Sequence, residues 1–206
     1  MKHFYWLIQN ILWPFMWIFV HTFYTVEIRG RENIKLAKSP LIIASNHKTL
    51  LDGFLVMISL PWFSGILPGR YMAEEIEFNS SVLWLLNKFG LLHFFYRLTG
   101  GFPSKRGEGI ENAMKIPLEI LQNNGTILMF PEGQLVKNDS LGIFYHGTTV
   151  LAMESNASIL PIAIRNKKRH IIISIDKPFK LNADRTEQGT TIIREKIQKL
   201  INKIEL

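Results

Sequence analysis

The sequence predicts an α/β domain, a mostly parallel sheet flanked by helices, with a hydrophobic helical segment at its amino terminus. Two observations lead there. Short apolar runs of strand character alternate with longer helical patterns, the arrangement that builds parallel sheets through helical crossovers. The first stretch of the chain, Phe4 to Val26, contains no Lys, Arg, Asp or Glu, whereas the remainder is mixed and carries the charge. A boundary near Glu27 therefore separates an amino-terminal unit, residues 1–26, from a folded domain, residues 27–206.

The amino-terminal unit is long enough to cross a bilayer. Three readings fit it: a single spanning helix, two short helices broken near Pro14 and lying in the membrane interface, and a helix packed on the core. Gln9, Asn10 and His21 dilute the run, and Tyr24-Thr25-Val26-Glu27 makes a poor signal-peptide cleavage site. Tyr5, Trp6, Trp13, Trp17 and Tyr24 have rings that favour headgroup depth, so helices anchored in the interface are the expectation.

Val26–Gly30 alternates and ends in Gly, giving a first short strand. Leu41–Ser45 follows Pro40 as a buried strand, and Thr49 to about Leu60 is helical, stopped by Pro61. Arg70–Ala73 is a further strand. Phe78–Phe95 is apolar and helical in character, and Gly100–Pro103 is a break. Gly107–Asn123 is an amphipathic helix with a kink or restart expected at Pro117. Thr126–Phe130, Ile159–Ile164 and His170–Ile175 are strands, Gly147–Ser155 is a helix, and Thr186–Ile204 closes the chain as an amphipathic helix.

Hydrophobic residues make up 47% of the 206, charged residues 20%, and the formal net charge is +7. Such a balance suits an anionic partner, whether anionic lipid, a phosphorylated substrate or nucleic acid. The densest basic stretch, Asn166-Lys167-Lys168-Arg169-His170, fits that role or a solvated turn between two strands. No zinc-finger spacing and no single-strand RNA-binding motif is present, so nucleic acid is not the expected partner. The absence of cysteine excludes disulfides, thiolate metal sites and a Cys nucleophile.

Two polar strand exits carry the candidate chemistry. Asn46-His47-Lys48-Thr49-Leu50-Leu51-Asp52 follows the Leu41–Ser45 strand directly, where α/β folds place active sites. On a regular helix His47 and Asp52 would lie about 140° apart in azimuth. Contact therefore requires His47 in the loop and Asp52 in the first helical turn, reaching back. A carboxylate on one ring nitrogen would then leave the other free to take a proton. Thr49-x-x-Asp52 is equally a helix-capping pattern, which would need no catalytic role. Phe130-Pro131-Glu132-Gly133 leaves a second buried strand, with Gly allowing close backbone approach.

In order and spacing, Asn46-His47-x-x-x-x-Asp52 followed by Phe130-Pro131-Glu132-Gly133 resembles the glycerophospholipid acyltransferase family, which includes 1-acylglycerol-3-phosphate acyltransferases. Gly101-Phe102-Pro103-Ser104-Lys105-Arg106 is similar to the family's second block, and Ile159–Ile164 with its central Pro161 to the fourth. The resemblance covers roughly residues 27–175. It implies a glycerolipid acyltransferase fold and acyl transfer without a covalent enzyme intermediate. His47 would be the base and Asp52 its support. Glu132 would bind the glycerol portion of the acceptor, Arg106 with Lys105 its phosphate, and Gly133 and Asn46 would complete the site. Acyl-CoA or acyl-ACP would serve as co-substrate, a lysophospholipid as acceptor and the bilayer as partner, with no metal and no other cofactor. A poor signal peptide points to the cytoplasmic face of an inner membrane.

The family commonly continues its third block with Thr-Arg-Ser. Here Gln134-Leu135-Val136 follow, so Leu135 stands where an Arg is expected, and Lys137 is a point charge rather than a bidentate fork. Tyr145-His146 precede Gly147 where the family often has Lys. Acyl transfer to another hydroxyl, and an inactive membrane-binding module, stay open beside lysophosphatidic acid.

Overall fold

The computed structural model describes residues 2–73, 88–103, 110–136 and 140–204. Along the chain these form α1 (Lys2–Phe23), β1 (Thr25–Arg29), a 3-10 turn at Arg31–Leu36, β2 (Leu41–Ser45), α2 (Asp52–Ser59) and β3 (Gly69–Ala73). There follow α3 (Leu91–Leu98), β4 (Gly101–Pro103), α4 (Ile110–Gln122), β5 (Thr126–Met129) and α5 (Gly147–Ser155). β6 (Ser158–Lys167), β7 (His170–Ile175), β8 (Phe179–Lys180) and α6 (Thr186–Asn202) complete the chain.

The strands form one sheet in the order β1-β7-β6-β2-β5-β3-β4, with β8 on β6 beyond the end of β7. β2 lies at the centre, parallel to β5 and to β6. β3 is parallel to β5 and to β4, and β1 to β7; among the described residues only β6–β7 and β6–β8 are antiparallel. All five residues of β2 are buried, because a central strand of such a sheet is covered on both faces and reads as a continuous apolar run. The pleat divides them. Leu41 and Ile43 join Val20, Leu55 and Ile58 on the face covered by α1 and α2. Ile42 and Ala44 join Leu121, Leu151 and Ile197 on the face covered by α4, α5 and α6. The result is a three-layer α/β/α domain. Its parallel strands end together at the edge where β2 and β5 deliver their exits.

α1 departs from the expected pair of helices. It is a single helix that runs through Pro14. Proline has no N–H, so the Asn10 carbonyl loses its helical partner. The Trp62 indole N–H donates to that carbonyl at 2.9 Å instead. Gln9 and Asn10, which interrupt the hydrophobicity, are the docking residues. The Gln9 amide donates to the carbonyls of Gly69 and Thr99, both at 2.8 Å, and accepts from the Gly69 N–H at 3.0 Å. Asn10 Oδ1 accepts from the Phe63 N–H at 2.9 Å, and the Trp13 indole donates to the Leu60 carbonyl at 3.1 Å. The Arg70 guanidinium lies 4.2 Å from the Tyr5 ring centroid. The opposite face carries Phe4, Leu7, Ile11, Phe15 and Ile18 at helical spacing, all exposed, Phe15 by 65%. α1 thus docks through Gln9, Asn10 and Trp13 together with Trp6, Met16 and buried Val20, and leaves a second apolar stripe outward. Among the described residues no helix is long and apolar enough to cross a membrane.

Three further expectations change. The helix foreseen from Thr49 begins at Asp52, because Lys48 and Thr49 give their N–H groups to the Asp52 carboxylate. Gly90 takes φ +71° and starts α3 afresh inside the foreseen Phe78–Phe95 helix, whose part before residue 88 lies outside the described residues. Gly101–Pro103, foreseen as a break, is an edge strand beside β3.

Candidate active site

His47 stands in the loop that leaves β2, and Asp52 opens α2. The geometry is the reaching-back contact that their spacing demands: His47 Nδ1 lies 3.0 Å from Asp52 Oδ2. The same oxygen accepts the backbone N–H of Lys48 at 2.5 Å and of Thr49 at 2.8 Å. Oδ1 accepts the Thr49 hydroxyl at 2.8 Å. Helix capping and the His–Asp pair, which the sequence offered as alternatives, are two uses of one carboxylate. Asp52 is 1% exposed, and four donors offset its desolvation. An acceptor on Nδ1 assigns the ring proton there. Nε2 is then a free acceptor, on a side chain that is 19% exposed. The imidazole stacks on the Phe130 ring, with centroids 4.0 Å apart and planes inclined by 12°.

Glu132 is brought to this loop by the parallel pairing of β2 with β5. Its carboxylate is 1% exposed and bridges two backbones. Oε2 accepts the His47 N–H at 2.6 Å, and Oε1 accepts the Gly142 N–H at 2.8 Å. Both oxygens thus accept main-chain donors. The Val136 N–H donates to the His47 carbonyl at 2.8 Å, so the histidine is held by its N–H and its C=O as well as by its ring. Gly133 turns the chain at φ +63°, its N–H closing on the Phe130 carbonyl at 2.9 Å. Asn46 is fully buried and pairs with Ile164 through both amide atoms, at 2.8 and 2.9 Å, tying the exit of β2 to β6.

Of the residues foreseen for the site, His47, Asp52, Asn46, Glu132 and Gly133 converge here. Lys105, Arg106 and Lys137 lie outside the described residues. Leu135 is half-buried and brings no charge. His146 is not part of the cluster; it lies 2.9 Å from the Thr190 hydroxyl and lines an open groove of about 540 Å³ with Ile143, Glu187 and Arg194. Gly142 and Phe130 were missed as site members. Phe130 was read as the first residue of the Phe130–Gly133 motif but given no role in the site, and nothing local marks Gly142. Among the described residues no group of three His, Asp or Glu side chains could hold a metal ion.

Residues 25–165 match the Acyltransferase family. The chain belongs to that family. The 1-acyl-sn-glycerol-3-phosphate acyltransferase of Pseudomonas aeruginosa is 27% identical over 137 residues, 66% of this chain and 48% of that protein. A chloroplastic enzyme of the same description from Arabidopsis thaliana is 23% identical over 150 residues, 71% of this chain and 38% of the relative. The chain thus spans less than half the length of these two acyltransferases. The counterpart in Borreliella burgdorferi is 23% identical over 199 residues, covering 88% of this chain and 73% of its own. The crystal structure of a 1-acyl-sn-glycerophosphate (LPA) acyltransferase from Thermotoga maritima shares the fold. Its TM-score is 0.73 at 18% identity, over 96% of this chain and 80% of that one. The mostly parallel sheet flanked by helices is therefore the acyltransferase fold.

Proposed function

We propose that this acyltransferase-family chain transfers a fatty acyl group from acyl-CoA or acyl-ACP to the free hydroxyl of lysophosphatidic acid. The observation that carries the reading is His47: one ring nitrogen tied to a buried carboxylate, the other free on a partly exposed side chain. Nε2 takes the proton of the acceptor hydroxyl as its oxygen attacks the thioester carbonyl. The C–O ester bond forms and the C–S bond breaks. The imidazolium returns its proton to the departing thiolate, releasing a free thiol. Asp52 stabilises the imidazolium in between. The reaction needs no covalent enzyme intermediate and no metal.

Glu132 acts here through His47, by fixing the backbone that carries it, and Asn46 anchors the same loop to β6. Lys105 and Arg106 are assigned to the acceptor phosphate on the motif alone. The names of the relatives support lysophosphatidic acid as acceptor. Leu135 in place of the family's Arg supports a second reading, in which the acceptor is another lipid hydroxyl. The outward apolar stripe of α1, with Trp62 and Phe63 exposed beside it, supports seating on a bilayer surface.

Thiol release from an acyl thioester tests the reading, with lysophosphatidic acid, lysophospholipids and glycerol 3-phosphate offered in turn. Release that requires lysophosphatidic acid supports the first reading. Release with another lipid hydroxyl alone moves the acceptor and keeps the chemistry. No release by folded, membrane-bound protein with any acceptor overturns acyl transfer.

A further inference from the structure

The basic stretch left unexplained by the active site lies at the tip of the β6–β7 hairpin. Asn166, Lys167, Lys168, Arg169 and His170 are all exposed. His170 Nε2 stands 3.8 Å from Glu27, which also pairs with Arg29 at 2.6 Å. Lys167, Lys168 and Arg169 form no ion pair among the described residues, so three adjacent cations face solvent. Lys168 takes φ +57° in the turn, a conformation that favours Gly or Asn, yet a cation stands there.

The position of the tip gives these charges a context. The Thr25 N–H donates to the Arg169 carbonyl at 2.8 Å, and Thr25 pairs with His170 in the β1–β7 register. The hairpin tip is therefore docked two residues beyond the end of α1. That end exposes Phe19 and Phe23, whose rings lie 5.2 Å apart, at the finish of the outward apolar stripe. A cluster of unpaired cations thus adjoins an exposed apolar surface. An aqueous anion would match only the first of these, and a hydrophobic protein partner only the second. A bilayer with anionic headgroups matches both, apolar side chains entering the acyl boundary while cations stay among the phosphates.

We infer that the β6–β7 tip, through Lys167, Lys168 and Arg169, binds the headgroups of anionic phospholipids in the bilayer on which α1 rests. The inference rests on the membrane seating proposed above. It makes attachment a two-signal device, apolar area from α1 and charge from the hairpin, so the protein selects anionic surfaces.

Sedimentation of the full chain with vesicles of phosphatidylcholine alone, or of phosphatidylcholine with phosphatidylglycerol, tests it. The K167Q/K168Q/R169Q variant should lose roughly a hundredfold in affinity for the anionic vesicles, about fivefold per cation. Its affinity for the neutral vesicles and its thermal unfolding midpoint should not change. The F15D/I18D variant should weaken binding to both vesicle types. An equal loss on both vesicle types, or none, in the triple variant overturns the headgroup site. Salt-sensitive retention on nucleic acid that the triple variant loses, without any vesicle preference, overturns it in favour of a nucleic-acid surface. Wild-type binding to both vesicle types equally overturns the headgroup site alone; binding to neither overturns the membrane seating as well.

Discussion

At the scale of single residues, the candidate site sets one partly exposed imidazole between two buried carboxylates that hold its ring and its backbone. His47 is the only member whose side chain combines a free ring nitrogen with access to solvent. His47→Ala should therefore lower the turnover of acyl transfer by at least about a hundredfold while leaving the fold intact, as loss of a general base does. Turnover and the unfolding midpoint measured on the same preparation check this. Glu132 makes a different demand. Both its oxygens accept main-chain N–H groups, so Glu132→Gln would set an amide NH2 against the N–H of His47 or Gly142. That buried donor–donor conflict should cost about 1–3 kcal/mol of stability. It should also lower kcat, since His47 is held through this contact, and leave the pH midpoint of the rate unchanged. A raised KM with an unaltered kcat would instead place Glu132 on the acceptor.

At the scale of elements, α1 is fixed to the domain by polar contacts as well as by Val20, Trp6 and Met16 against the core, and leaves an apolar stripe outward. Gln9 serves β3 and the turn before β4, and Asn10 serves the loop after α2. Gln9→Leu keeps the volume but leaves the Gly69 N–H and two carbonyls without partners. It should destabilise the docked helix by about 1–3 kcal/mol, read as a lower urea midpoint with faster exchange of α1 amides. The same seam contains Tyr71, whose hydroxyl lies 2.5 Å from that of Thr99. Burial pushes the Tyr71 phenol up to about 12, against the smaller lowering from the Thr99 contact. A folded-state value raised above the ordinary phenol near 10 favours the neutral form on folding. Its contribution is complete below pH 10 and is lost as pH rises through about 12. Tyr71→Phe should therefore flatten the alkaline fall in stability between about pH 10 and 12 relative to the parent, as followed by unfolding at stepped pH.

At the scale of the whole molecule, most elements and the His47–Asp52 pair were legible because their signals are local. β2 is a run of apolar residues between Pro40 and a polar exit, and the observed strand begins and ends where that run does. The interval between His47 and Asp52 already restricted their contact to a loop and a first helical turn, and that is where both lie. Gly101–Pro103 was illegible as a strand, since an edge strand of three residues is defined by its hydrogen bonds to β3 and carries little periodicity of its own. α1 was read as two helices because a proline's lost hydrogen bond is local, whereas its repair by Trp62 comes from a residue beyond α2. The sequence by itself determined which segments are buried, where the polar strand exits fall and which family the motifs belong to, for these depend on residue type and spacing. Only the tertiary structure decided what Glu132 holds, that Gly142 and Phe130 join the site, and that the basic tip adjoins α1. Each of these is a contact between segments distant in the chain, created by the order in which the strands enter the sheet. Periodicity reports how deeply a residue is buried but not which neighbour it meets.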